Sequence, residues 1–280
     1  MVQNVPHLPL NDGSTMPQIG LGVYGPDDAA AAIAVVSALE VGYRLLDTAA
    51  YYGNEVGVGE GMRSSGIPRE EVYLTTKLGN DSHGFDETLM AFEASLDRLG
   101  TDYIDLYLIH WPMTTINKYV ESWRACESLL TDGRVRSIGV SNFQKHHLNR
   151  LFVETDVVPV VNQIEVHPGY QRVAMREFNA HHSIATMAWS PLAGNPGGHG
   201  SFADNAVVES IAELHGKSGA QVIIRWHLQV GNALIPKTTK RFRMVENLEV
   251  FDFMLTPDEL TLISSLENGI ANPYDPDLAD

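Results

Sequence analysis

Eight short apolar runs alternate with stretches of helical periodicity along this 280-residue chain, and nothing else in the sequence limits its fold so tightly. The runs are IGLGV (19–23), RLL (44–46), VYLTT (72–76), IDLYLI (104–109), SIGV (137–140), VPVVNQI (158–164), IATMAW (184–189) and ALI (233–235). They are too short for helices and rich in Ile, Val, Leu and Tyr, which predicts buried strands. Between them, Phe85, Leu89, Phe92, Leu96 and Leu99 recur every three or four residues and so lie on one helix face. Segments 28–41, 117–131, 171–181 and 205–230 read the same way. Apolar strands separated by helices imply a parallel sheet covered by helices. Eight such units predict an α/β fold of the (β/α)8 TIM barrel type, with a doubly wound open sheet as the rival. The opening LPLNDGSTMPQIG reads as a hairpin turning at Asn11-Asp12-Gly13, placed to close the bottom of the barrel. No linker, low-complexity tract or charge block interrupts the chain, so one domain is expected over 1–280.

Polar residues follow the apolar runs. Asp47 follows the second, Lys77 the third, His110 the fourth, Ser141 and Asn142 the fifth, and Ser190 the seventh. Gln163 lies near the end of the sixth, and Lys237 comes just after the eighth. In a parallel barrel these positions share one rim, the rim on which barrel enzymes carry their chemistry. Any one of them could merely cap the next helix; the set is harder to explain that way.

The segment LDTAAYYGNE (46–55) adds Tyr52 to Asp47. A free phenol has a pKa near ~10, too high for proton exchange at neutral pH. An ammonium beside it stabilises the phenolate, and a buried ammonium needs a counter-charge. Asp47 can hold Lys77, Lys77 can tune Tyr52, and Tyr52 can give a proton to an oxygen gaining charge. A neutral His110 can orient that oxygen. The chain shows no activated Ser or Cys nucleophile, which leaves the electrophilic carbon for a cofactor hydride.

Composition excludes other classes. With 19 basic and 35 acidic residues the net charge is −16, which argues against nucleic acid and anionic membrane partners. The start MVQNVPHLPLNDG has no basic region followed by an apolar run, and no apolar stretch approaches a membrane span, so a cytoplasmic protein is expected. Cys126 lies in line with Tyr119, Trp123 and Leu130, as an inert core thiol would. GVGEG (57–61) imitates a dinucleotide motif but lies inside a helical stretch without the preceding strand. His146-His147 and His181-His182 are adjacent pairs, expected to point apart, and no metal site is expected. The glycine-rich loop 193–202 could fold over a cofactor.

The motifs LDTAAYYGNE (46–55), TTKLGN (75–80), LYLIHWP (106–112), IGVSNF (138–143), VNQIEVHP (161–168), AWSPLA (188–193) and IPKTTKRFRMVEN (235–247) together resemble the aldo-keto reductase superfamily over nearly the whole chain. Within it, the short C-terminus and ALEVGYRLLDTAAYYGNEVGVGEG are similar to bacterial members of the 2,5-diketo-D-gluconate reductase type. The resemblance implies reduction of aldehydes and ketones with NADPH, NADH being weaker. It implies the tetrad Asp47, Tyr52, Lys77 and His110, with Tyr52 rather than Tyr51 as the acid. Ser141, Asn142 and Gln163 would meet the nicotinamide carboxamide, and Trp189 would stack on its ring, with Ser190, Pro191 and Leu192 beside the cofactor. Lys237, Thr238, Thr239 and Arg243 would meet the adenosine 2′-phosphate, and Glu246 and Asn247 the adenine. The residues agree independently: Lys237, Lys240, Arg241 and Arg243 fall within seven positions at a helix start, which suits a phosphate. Tyr24 and Trp111 are expected in the substrate pocket, whose aromatic walls and short tail suit small keto-sugars, α-keto esters and aldehydes. A monomer is expected. A Schiff-base lyase using Lys77 and a non-catalytic NADPH-binding subunit are the alternatives.

Overall fold

The computed structural model describes residues 5–194 and 200–278. Each apolar run overlaps a strand. A hairpin of β1 (His7–Pro9) and β2 (Thr15–Pro17) precedes β3 (Leu21–Gly22), β4 (Leu45–Asp47), β5 (Tyr73–Leu78), β6 (Ile104–Ile109), β7 (Val135–Ser141), β8 (Val161–Glu165), β9 (Ala185–Trp189) and β10 (Ala233–Leu234). Strands β3 to β10 pair in parallel, in sequence order. The ends of that sheet meet. Ile19 bridges Leu234 and Gly22 bridges Lys237, with Gly20 N–H donating to Leu234 O at 2.9 Å and Leu234 N–H to Gln18 O at 2.9 Å. This seam makes the sheet a closed barrel and disposes of the open-sheet alternative. A side chain at Gly22 would put Cβ 2.8 Å from Ile235 O, so the seam requires glycine there.

The core has two layers. Along β6, Leu106 and Leu108 point into the barrel, while Tyr107 and Ile109 pack outward against helices. That is the two-residue period of a strand buried on both faces. Leu10 and Met16 of the hairpin join the inner layer beside Leu45, Val161 and Met187. Ser137 Oγ, early in β7, donates to Asp12 Oδ2 at 2.6 Å, and Asn11 Nδ2 donates to Pro159 O at 3.0 Å. The hairpin therefore closes the bottom of the barrel, as expected.

Helices α1 (Asp28–Val41), α2 (Glu55–Ser64), α3 (Phe85–Leu99), α4 (Tyr119–Thr131), α5 (Lys145–Glu154), α6 (Val173–His181), α7 (Ala206–His215), α8 (Gly219–Gln229), α9 (Arg241–Leu248) and α10 (Pro257–Ser264) surround the barrel or follow it. The expected helix over 205–230 is two helices. Gly216 ends α7 in a left-handed cap at φ 61°, and Ser218 starts α8 with a capping box to Gln221. GVGEG lies in α2, where its glycines serve packing. Cβ atoms at Gly57 and Gly59 would come within 2.0 Å of the carbonyls of Asp28 and Leu99. No described helix is long and apolar enough to cross a membrane.

Candidate active site

The strand ends bring the tetrad together. Asp47 ends β4, Lys77 is next to last in β5, and His110 follows β6. Tyr52 sits in a short helical turn after β4, closed by Gly53 at φ 66°. Lys77 Nζ donates to Asp47 Oδ1 at 2.5 Å, to Thr48 O at 2.9 Å and to Tyr52 Oη at 3.3 Å. All three ammonium hydrogens thus have acceptors, which a fully buried lysine requires. Tyr51, 71 % exposed, points to solvent, so the geometry separates the two tyrosines.

Electrostatics follow from this packing. Burial alone would lower Lys77, but Asp47 and Tyr52 hold it above its ordinary value, so it stays an ammonium. Burial raises the Asp47 carboxyl, while Lys77 and Gln163 oppose that rise. Burial also raises the Tyr52 phenol, and Lys77 pulls it down by less than burial lifts it. The expected downward tuning is present but does not win; the phenol is held protonated at neutral pH. Burial and then the Lys77 charge push His110 well below its usual range, leaving a neutral imidazole.

Ser141, Asn142 and Gln163 form one network beside the tetrad. Ser141 pairs with Gln163 in the β7–β8 register, and Ser141 Oγ donates to Gln163 O at 2.9 Å. Asn142, in the left-handed region at φ 64°, donates to His110 O at 3.1 Å and accepts from Trp189 Nε1 at 2.9 Å. Gln163 reaches Asp47 instead of pointing only toward the mouth, with Nε2 to Oδ2 at 2.6 Å. Ser190 follows at φ 48° and accepts at its carbonyl from Ala193 N–H; Pro191 O accepts from His227, and Leu192 O from Phe202 N–H. The loop 193–202 runs partly through residues 195–199, which lie outside the described residues.

At the other end, Lys237, Thr239 and Arg243 are exposed, while Thr238 and Asn247 are buried and Glu246 is half-buried. Arg241 departs from the expected basic cluster. It donates to Glu40 Oε2 at 2.9 Å and to Ser37 O at 3.2 Å, fastening α9 to α1. Of the four cations in this run, Lys237, Lys240 and Arg243 have no ion pair among the described residues, whereas Arg241 has one.

Aromatic rings line the mouth. Tyr24 meets Tyr52 edge-on at 5.0 Å, Tyr52 meets His110 at 5.7 Å, and Trp111 lies 6.5 Å from His110. The tail adds Tyr274, edge-on to Trp111 at 6.3 Å, so it contributes more wall than its length suggests. Asn272 N–H donates to Glu165 Oε2 at 3.0 Å, and Thr114 Oγ1 donates to Asp277 O at 2.8 Å.

The expectation for adjacent histidines fails at one pair. His181 and His182 diverge, with ring planes at 89°. His146 and His147 instead both bring Nε2 to 3.0 Å from Asp277 Oδ1. His147 Nδ1 accepts from Gln144 N–H at 3.0 Å, so the proton of the neutral ring sits on Nε2, facing the carboxylate. That tautomer suits a clasp on the tail and opposes a metal ligand. Cys126 is fully buried and burial raises its thiol, as for a core residue.

A model of the aldo/keto reductase family matches residues 16–268. The chain belongs to the aldo-keto reductase family. It is 50 % identical over 264 residues to an aldo-keto reductase of Mycolicibacterium smegmatis, covering 94 % of each chain. It is 48 % identical over 270 residues to methylglyoxal reductase DkgA of Escherichia coli, covering 96 % of each. A mutant of Gox0644 solved with NADPH superposes with TM-score 0.93 at 44 % identity, covering 99 % of this chain and 100 % of that one.

Some parts of this reductase's site escaped the sequence reading. Asn54, fully buried, accepts from Thr48 Oγ1 at 2.8 Å and donates to Val23 O at 2.7 Å, tying the Tyr24 loop to the end of β4. Glu55 accepts from Thr76 Oγ1 and pairs with Arg98 behind Lys77. Both stand in YYGNE beside Tyr52, where a buried polar pair in an otherwise exposed-looking turn was the available signal. Tyr274 had none beyond being an aromatic in a polar tail.

Proposed function

We propose that the chain reduces small aldehydes and ketones to alcohols with NADPH, Tyr52 serving as general acid. The observation that carries this reading is buried Lys77 Nζ lying between buried Asp47 and Tyr52 Oη. NADPH supplies the hydride when bound. The chain fits it: Gln163 turns its amide oxygen away from Asp47, which leaves an acceptor for a carboxamide N–H, and Lys237 and Arg243 remain for a 2′-phosphate. The roles assigned to Ser141, Asn142 and Trp189 belong to the same reading.

The residues then divide the work. Neutral His110 and the Tyr52 phenol orient the substrate oxygen. Tyr52 gives that oxygen its proton as negative charge develops there, and Lys77 stabilises the phenolate left behind. Tyr24, Trp111 and Tyr274 form apolar walls around the carbonyl substituents. Keto-sugars, α-keto esters and small aldehydes suit these aromatic walls, and the relative named for methylglyoxal reduction favours the last of these.

A Schiff base on Lys77 needs a neutral amine, and Asp47 and Tyr52 oppose its formation. Tyr52→Phe should lower kcat for a small aldehyde by ~10²–10⁴-fold while NADPH still quenches intrinsic fluorescence. Undiminished turnover in that variant would remove Tyr52 from the role.

A further inference from the structure

Asp47 and Gln163 stand on β4 and β8, four places apart in the sheet order, and so face each other across the barrel. Their side chains meet in the interior. Gln163 Nε2 donates to Asp47 Oδ2 at 2.6 Å while Lys77 Nζ donates to Oδ1 at 2.5 Å. A carboxylate only accepts, so the amide nitrogen must face Asp47 and the amide oxygen must face elsewhere. Nε2 also approaches Met187 Sδ at 2.9 Å, and none of the described hydrogen bonds uses Oε1. The backbone of the same residue is committed too, since Gln163 O accepts from Ser141 Oγ and Asn142 N–H, each at 2.9 Å.

We propose that Gln163 is a positioning residue that couples the nicotinamide site to the proton donor, because it divides Asp47 with Lys77. The inference rests on the reading of Tyr52 as the acid. A carboxylate distributes one charge over two oxygens. A donor on Oδ2 keeps part of that charge there and leaves less on Oδ1 for Lys77. With Oδ2 bare, Asp47 neutralises Lys77 more fully, Lys77 offers Tyr52 less charge, and the phenol titrates at higher pH. A carboxamide N–H donated to Oε1 acts in the opposite sense: it polarises the amide, strengthens the Nε2 donor and frees Lys77 toward Tyr52. A filled cofactor site therefore gives a stronger acid than an empty one. The ionisable groups facing this chain of contacts are Asp47, Lys77, Tyr52, Tyr24 and His110, and His110 is neutral.

The test compares the full-length wild type, Gln163→Met and Asn142→Ala. Tyr52 is titrated by tyrosinate absorbance, as the difference between each protein and its Tyr52→Phe form, with and without NADP. The alkaline limb of kcat is measured alongside. Gln163→Met should move the Tyr52 titration and the limb upward by roughly half to one pH unit, and should make the downward shift expected on adding NADP smaller than in wild type, the remainder being the direct field of the cationic nicotinamide ring. Asn142→Ala should weaken NADP binding and leave the titration without NADP in place. If Gln163→Met does not fold, Gln163→Asn, whose shorter amide withdraws from Asp47, carries the same expectation. Weakened NADP binding with an unmoved Tyr52 titration in the Gln163 variant overturns the coupling alone. Full turnover by Tyr52→Phe overturns the reading of Tyr52 as the acid and the coupling with it.

Discussion

Lys77 Nζ stands 3.3 Å from Tyr52 Oη and 2.5 Å from Asp47 Oδ1, so one buried cation serves two partners of opposite need. Asp47 requires the charge for stability, and on the proposed mechanism Tyr52 requires it for chemistry. Lys77→Met should therefore fail twice. Breaking a buried pair leaves an uncompensated carboxylate and costs about 3–5 kcal/mol of folding stability. Adding Asp47→Asn should restore much of that stability, read from urea midpoints, and restore none of the turnover. Equal losses of both quantities in the double variant would contradict this division.

The glycines of α2 make a prediction whose sign runs against helix propensity. Gly to Ala in an exposed helix gains about 1 kcal/mol. At Gly57 a Cβ would stand 2.0 Å from Asp28 O, which belongs to backbone and cannot rotate away. Gly57→Ala should instead cost about 1–3 kcal/mol, as overpacking does. A raised Tm in Gly57→Ala would show that α1 and α2 can separate freely.

Acid sensitivity should arise in part at His227. Its Nε2–H donates to Pro191 O at 3.1 Å and its Nδ1 accepts from Asn232 Nδ2 at 3.1 Å, an arrangement complete only for the neutral ring. Burial lowers its pKa to about 3, whereas the unfolded chain takes the proton near ~6.5. The unfolded state thus binds more protons below that value, so stability is whole above pH ~6.5 and falls toward pH ~3. The loss is on the order of several kcal/mol at the bottom of that window. His227→Gln should flatten the urea midpoint between pH 6 and 4, relative to wild type. An unchanged slope would place the sensitivity elsewhere.

The fold was legible because the barrel strands are short and mostly apolar and helices such as α3 are apolar on one face, a pattern that needs no knowledge of neighbours. The tetrad was legible as a motif for a related reason: its residues follow strand ends, and a parallel barrel delivers strand ends to one rim. What stayed hidden depends on where a long side chain turns once folded. Gln163 meets Asp47 116 residues away, Arg241 meets Glu40 201 residues away, and His146 meets Asp277 131 residues away. Each competes with a bland alternative of the same local sequence. Arg241 counted toward the basic run that suits a phosphate because Lys240 and Arg243 lie beside it, and only the proximity of α1 diverts it.

That diversion sharpens the cofactor prediction. With Arg241 fixed to Glu40, the exposed Lys237, Lys240 and Arg243 are the cations left for a 2′-phosphate, Lys237 and Arg243 being the two proposed to meet it. Arg243→Ala should weaken NADPH binding by about 1.5–3 kcal/mol, the worth of one charge-assisted contact, and leave NADH nearly unaffected. Arg241→Ala should weaken both cofactors alike and only slightly, because its guanidinium acts through the seating of α9. The surface pair it loses is worth at most ~1 kcal/mol. Fluorescence titrations of the two variants with NADPH and NADH separate these outcomes. A selective loss of NADPH in Arg241→Ala, with Arg243→Ala unaffected, would reverse the assignment.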